Sequence, residues 1–353
     1  MNPSSVFWKR IIAGILVLSC LILVWIGTSD QLSWSLTPVR DDASELRAIR
    51  FDTNPIIRPG MPGLVGDNIN GPSLIRAPSW VAQPLGRFYL YFADHKGDHI
   101  RMAYADDLRG PWTVLPGGVL RLDQTSARDH IASPDVHVDT EKREIRMYFH
   151  GVASEGRQQV SWLATSDDGL NFNAGTEPLG PFYFRVFRYD DWYYAIAKDG
   201  DWGGVLLRSR DGLTDFERGP RFVRGMRHSA VRVEGDDLLL FFSRAGDRPE
   251  RILWSRIDLR DDWLRWEANM STPRTLLAPE MDYEGIAYPL EASRSGKAVN
   301  VRQLRDPAIF VDEAAAWLLY SVAGETGIGG ARLIRDEHSG SGAGGTQSMP
   351  SVR

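Results

Sequence analysis

Residues 182–216, FYFRVFRYDDWYYAIAKDGDWGGVLLRSRDGLTDF, decide the fold. Three short apolar runs, FYFRVFRYDD (182–191), WYYAIAKDG (192–200) and VLLRSRDG (205–212), are separated by Asp/Gly turns too short for anything but antiparallel neighbours, and a turn with an aromatic, GLTDF (212–216), follows. The same order recurs along the chain. First runs are PSLIRAPSWV (72–81), PDVHVD (134–139), SAVRVEGDD (229–237) and PAIFVDE (307–313). Second runs, rich in Phe, Tyr and Leu, lie at 87–95, 145–151, 238–246 and 316–324, and third runs begin at 100, 160, 252 and 329. Further turn aromatics stand at GPW (110–112), GLNF (169–172) and WLRW (263–266). Outside this pattern only DDASELRAIR (41–50) has a helical period.

Five copies, roughly 45 to 80 residues apart, predict an all-β, five-bladed β-propeller in which each four-stranded blade buries its faces against its neighbours. The fifth copy lacks an outer strand. LRAIRFDTNPII (46–57) is expected to supply it and close the ring, which removes two open sheet edges. A β-sandwich and a six-bladed ring are the competing arrangements. Residues 281–304, MDYEGIAYPLEASRSGKAVNVRQL, fit no strand slot and read as an insertion between the fourth and fifth copies.

The 353 residues carry a formal charge of −5, and only five of the 41 basic residues are lysine, so no concentrated basic surface for nucleic acid is expected. A hydrophobic share of 43% against 25% charged residues suits a packed protein rather than a disordered one. With Cys20 as its single cysteine the chain forms no internal disulfide and no cysteine zinc cluster.

Both ends read differently. Residues 11–27, IIAGILVLSCLILVWIG, are uncharged and apolar, follow Lys9 and Arg10, and would reach about 26 Å as a helix. No small-x-small cleavage site follows, and Trp25 stands where an interfacial aromatic would anchor, so residues 1–28 are expected to form a transmembrane signal anchor with a linker over 29–45. Charge placement puts the propeller, 46–335, outside the cytoplasm, in a bacterial periplasm or at the cell surface; secretion after cleavage is the alternative. Residues 336–353, Gly/Ser-rich, read as a disordered tail.

In a propeller the innermost strands begin around one end of the central channel, so residues at those starts converge. In order they are Asp67, Asn68 and Asn70; Asp129, His130, Ser133 and Asp135; Tyr183 and Arg185; Arg227 and His228; and Arg305 and Asp306, with Glu284 on the insertion and Glu325 ending a second strand. Carboxylates, arginines, histidines and aromatics in one ring suit a sugar: charged groups bind hydroxyls, rings cover pyranose faces, and cleavage needs one protonated and one ionised carboxyl.

Leu304-Arg305-Asp306-Pro307 followed by AIFVD, the SPDVHVD string (133–139) and the S-x-D-G-x-x-F turns resemble the five-bladed propeller glycoside hydrolases, the arabinanase/xylosidase, invertase-like and anhydro-galactosidase-like families, over about 46–335. The resemblance implies sugar binding at the ring centre, with Asp306 as a site carboxylate and Arg305 as its sugar-contacting neighbour. In the arabinanase/xylosidase group the first blade opens with an Asp-Pro that carries the general base. Here that place holds Gly71-Pro72, and the second blade holds Ser133-Pro134.

The expected activity is hydrolysis of an oligo- or polysaccharide by Asp306, ionised, with Glu284 or His228 as the acid; Arg305, Arg227, Asp135, His130 and Glu325 are the expected substrate contacts. A non-catalytic propeller binding an envelope glycan or a protein is the rival, and phosphorolysis would need a cationic pocket beside the carboxylates. No cofactor is expected, with a channel calcium left open. HKGDH (95–99) places two histidines four apart in a hairpin without a third ligand, so no metal is assigned there.

Overall fold

The computed structural model describes residues 45–64, 66–292, 299–313 and 315–335. The apolar run at 11–27, the linker up to residue 44 and the tail from 336 lie outside them. Among the described residues no helix is long and apolar enough to cross a membrane.

Antiparallel strands gather into five sheets. Blade one runs through Asn70–Arg76, Phe88–Ala93 and His99–Ala105 to the short Thr113–Val114, and blade two through Ala127–Asp139, Glu144–Ala153 and Gln159–Ser166 to Asn173–Ala174. Blade three comprises Arg185–Tyr189, Trp192–Lys198, Gly203–Ser209 and Glu217–Arg224; blade four comprises Met226–Glu234, Asp237–Arg244, Ile252–Asp258 and Arg274–Leu277. Blade five holds Arg305–Asp312, Ala315–Val322 and Gly327–Arg335, and its fourth strand is Leu46–Arg50, paired Leu46 to Arg335 and Arg50 to Ala331. The ring therefore closes as the sequence predicts, and the end of the helix-like stretch is a strand, because edge pairing with Gly327–Arg335 overrides a weak local period. The turn aromatics of WLRW open a 3-10 helix, Trp263–Asn269, whose Trp263 and Trp266 are buried between blades three and four.

Each blade interface has its own apolar core, and this explains why the second strands read as unbroken apolar runs. In Phe88–Ala93, Phe88, Leu90 and Phe92 face blade five with Phe310 and Leu319, whereas Tyr89, Tyr91 and Ala93 face blade two with Met147, Phe149 and Trp162. Blade four repeats this: Leu238, Leu240 and Phe242 pack toward blade three, Leu239 and Phe241 toward blade five. With both faces covered, the two-residue period of a strand places an apolar side chain at every position.

The S-x-D-G turns act as ties between blades. Ser166 Oγ accepts from the Gly169 N–H at 2.9 Å, and Asp168 Oδ1 accepts from the Leu170 and Asn171 N–H groups at 2.7 and 2.9 Å. Gly169 has φ +77°, and its carbonyl accepts a 2.9 Å bond from Tyr91 Oη of blade one. Tyr148 Oη of blade two reaches the Gly212 carbonyl of blade three at 2.6 Å in the same way. A Cβ on residue 169 would sit 2.7 Å from Tyr91 Oη. Gly169→Ala, strained in backbone and in space, is expected to cost about 2 kcal/mol in urea unfolding; a loss below about 0.5 kcal/mol would show that the turn carries no such tie.

Candidate active site at the propeller axis

The innermost strands open with a shared backbone device. Gly71, Ser133 and Asp306, each directly before a proline, have φ +61°, +50° and +45°, and each lies in a register shift between the first and second strands of its blade. A bulge needs no ladder hydrogen bond from the proline that follows, and the left-handed residue turns its side chain out of the strand's alternation. Tyr183, at φ +67°, does the same just before the inner strand of blade three. Ser133, Tyr183 and Asp306 all line a cavity of about 250 Å³ at this end of the channel. At the first blade the device carries no side chain, and the space for one is tight: a Cβ on Gly71 would stand 3.1 Å from Ser133 Cα.

Asp306 is buried and held on every side. Its Oδ1 accepts from Tyr183 Oη at 3.2 Å and lies 3.3 Å from His228 Nε2, and its Oδ2 accepts from Ser321 Oγ at 3.1 Å. The Asp306 N–H donates to His228 Nδ1 at 3.3 Å, which leaves the ring proton on Nε2, facing the carboxylate. Burial, followed by the charge of Glu325, pushes the Asp306 carboxyl up to about 6 against the pull of Arg305 and Arg185. Burial and the nearby Arg227 and Arg305 hold His228 well below the usual imidazole range, so it is neutral.

Glu325 lines the same cavity in the opposite charge state. Its Oε1 accepts from Arg305 Nη1 at 3.0 Å and lies 3.5 Å from His95 Nδ1; its Oε2 accepts from Asn68 Nδ2 at 2.8 Å and Asn70 Nδ2 at 3.4 Å. Burial alone would raise its carboxyl, but His95, Arg305 and Asn68 outweigh it and carry it below the ordinary value. Beneath the cavity runs a chain of buried ions: Arg305, wholly enclosed, lies 3.0 Å from Glu325 and 3.1 Å from Glu250, and Arg227 lies 3.4 Å from Glu250.

Of the residues expected at the site, Asp306, His228, His130, Arg227 and Glu325 line the cavity. Three do not. Glu284 is fully buried on the flank of blade five, where Arg50 of the outermost strand binds both its oxygens at 2.7 and 3.0 Å and Tyr320 Oη donates at 3.0 Å. The insertion thus seats its carboxylate against the ring-closing strand instead of over the channel. Asp135 ties blade two to blade three, accepting from the Val186 N–H at 2.8 Å with His137 Nε2 also at 2.8 Å. Arg305 lies under the cavity as a charge partner of Glu325, out of reach of a sugar. The HKGDH histidines part company: His95 turns into the cavity and His99 pairs with Asp98 at 2.6 Å. Among the described residues no group of three or more His, Cys, Asp or Glu side chains is arranged to hold a metal ion.

Reading strand starts alone misses His150, Lys198 and the inward turn of His95. The signal was present: a second strand runs antiparallel to the first, so its last residues reach the same rim. That rule picks out Glu325, and applied to blades one to three it picks out His95, His150 and Lys198. Phe182, His150, Tyr183 and His228 make a row of rings along one wall, with centroids 5.7, 6.3 and 5.0 Å apart in sequence along the row.

Five radial sheets around a central axis are the fold of the five-bladed propeller glycoside hydrolases. Solved structures agree: a thermostable family-43 glycoside hydrolase superposes with a TM-score of 0.55 at 13% identity, covering 84% of this chain and 99% of its own. An α-L-arabinofuranosidase from Lactobacillus brevis gives 0.54 at 14%, covering 79% and 92%, and a glycosyl hydrolase from Bacteroides ovatus gives 0.58 at 11%, covering 82% and 93%. No protein-family model matches the sequence. The chain belongs to the same family as the uncharacterized protein R118 of Acanthamoeba polyphaga mimivirus, with which it is 38% identical over 339 residues, 85% of this chain and 94% of that protein.

Proposed function

We propose that the protein is a glycoside hydrolase that cleaves its substrate in the axial cavity, with Asp306 as the proton donor and Glu325 as the ionised carboxylate. The observation that carries this is the divergence of two carboxyl groups in one small site, Asp306 raised to about 6 and Glu325 lowered. Environments that separate two acids in this way assign a donor and an anion. The roles differ from the sequence expectation, which has Asp306 ionised and Glu284 or His228 donating. Glu284 is tied to Arg50, and the one ring proton of His228 faces Asp306.

In this reading Asp306 protonates the glycosidic oxygen as the bond to the anomeric carbon breaks. Water adds there, and the proton it releases restores Asp306. Glu325, its oxygens already engaged by Arg305, Asn68, Asn70 and the nearby His95, acts by charge, stabilising the positive sugar-like transition state. His228 and Tyr183 fix the orientation of Asp306, and the wall of rings gives a pyranose a face to lie on.

Screening the purified protein against a glycan panel, with products resolved by NMR, tests this directly. Asp306→Asn is expected to lower turnover by at least 100-fold on any glycan that is cleaved, with the fold retained; full activity in that variant would refute the assignment. The absence of a side chain at Gly71, where space is tight, and the saturation of Glu325 favour a second reading, a propeller that holds a glycan without cutting it. Binding by wild type and Asp306→Asn alike, with no product from either, would establish that one.

A further inference from the structure

The cavity wall formed by blades two to four has chemistry that the hydrolytic reading leaves unused. Lys198, at the end of the second strand of blade three, lines the cavity, yet Nζ has a single acceptor, the Met226 carbonyl at 3.3 Å, and forms no ion pair among the described residues. Its neighbour on the wall, Arg227, is another cation. Beside them His150, 7% exposed, also lines the cavity, and its Nδ1 is buried without a hydrogen-bond partner among the described residues. The carboxylates facing the same space are otherwise arranged. Glu325 is compensated by Arg305, Asp306 is enclosed by Tyr183, Ser321 and His228, and Asp201 lines the cavity from the hairpin that follows Lys198 without an ion pair to it.

An anion in the cavity would complete the shell of this partly buried ammonium with stronger bonds than a neutral hydroxyl gives. Burial, followed by the charge of Arg227, brings Lys198 down to about 8 against the pull of Asp201 and Glu250. A neutral sugar would supply hydroxyl oxygens but no charge. An oxyanion would engage the Lys198 ammonium with charge-assisted bonds, beside Arg227, which Glu250 also holds at 3.4 Å.

We infer that the sugar taken by this cavity carries an oxyanionic substituent, of the uronic-acid type, seated against Lys198 with Arg227 and His150 beside it. The inference rests on the reading of the cavity as a sugar site and adds the class of sugar.

Isothermal titration of the full-length protein with D-glucuronate, D-galacturonate, glucose 6-phosphate, glucose and inorganic phosphate tests it. At least one sugar acid is expected to bind ten-fold or more tightly than glucose. Lys198→Met, which keeps the aliphatic stem, is expected to remove that preference, and Lys198→Arg to restore most of it. Preference for the phosphate ester over both uronates would keep the oxyanion subsite and identify its bearer as a sugar phosphate. Equal binding of glucose and the acids, an unchanged preference in Lys198→Met, or inorganic phosphate binding as tightly as any sugar acid would overturn the inference. The two readings fail separately: acid-sugar binding by wild type and Asp306→Asn alike, with no glycan cut by either, rejects hydrolysis alone, whereas cleavage of neutral glycans by wild type and Lys198→Met alike rejects the acidic substrate alone.

Discussion

Asp306→Asn is expected to make the protein more stable above pH 6, by on the order of 3 kcal/mol, as well as inactive. In the unfolded chain an aspartate loses its proton near 3.8; in the cavity it keeps it up to about 6. Between those values the folded state holds a proton that the unfolded state has released, so stability falls as pH rises across the window and the whole penalty is present above it. Asparagine has no proton to lose. Its carbonyl suits the Tyr183 and His228 donors, and its amide can donate to Ser321 Oγ, so the substitution leaves no buried polar atom stranded. Urea unfolding at pH 4 and pH 7.5 should show the variant close to wild type at the lower value and ahead of it at the higher. Taking the difference between the two proteins removes the pH dependence that groups remote from residue 306 contribute to both. A difference that stays constant with pH would mean that Asp306 is not a carboxyl held against its ionisation, and the proton-donor role would go with it.

Glu250→Ala is expected to be the most damaging single substitution beneath the site, at about 3–5 kcal/mol. Glu250 has no exposed surface; its Oε2 lies 3.1 Å from Arg305 Nε and 3.4 Å from Arg227 Nη1, and its Oε1 accepts from Ser243 Oγ at 2.6 Å. Alanine would leave two guanidinium groups in the interior with one anion fewer. The gain from the intact chain is smaller than this, because all of these charges gave up water to enter the core, and the large cost arises from breaking the set. A fall in the urea midpoint corresponding to less than about 1 kcal/mol would show that Arg227 and Arg305 find other compensation. Glu250→Gln, which keeps the shape and the Ser243 contact, should fall between the two proteins.

The sequence made the propeller legible because its periodicity is the physics of the fold. Both faces of a strand such as Phe88–Ala93 are covered, so nearly every residue is apolar, and the turns that follow must be tight, so Ser, Asp and Gly recur at fixed offsets. The site was legible only where it follows the same rule. Asp306, His228 and His130 announce themselves at strand starts, and Glu325 at a strand end. Glu284 did not follow, since the path of an insertion depends on partners such as Arg50 that lie 234 positions away, and no local pattern encodes them. The charge states were beyond reach for the same reason. Asp306 and Glu325 differ through burial and through Arg305, His95 and Asn68, which the fold alone assembles.

The strand Leu46–Arg50 is among the first parts of the propeller to be synthesised and the last to find its place, because its partner is Gly327–Arg335. At ribosomal speeds of about 5–20 residues per second, the wait is on the order of 15 to 60 seconds. Through that interval the nascent molecule carries an open C-shaped stack with an unsatisfied edge at the growing end and a free ribbon at the other. Until Gly327–Arg335 is made, Leu46–Arg50 has no strand to pair with, and the same adjacency of the propeller's two ends makes it a natural candidate for circular permutation.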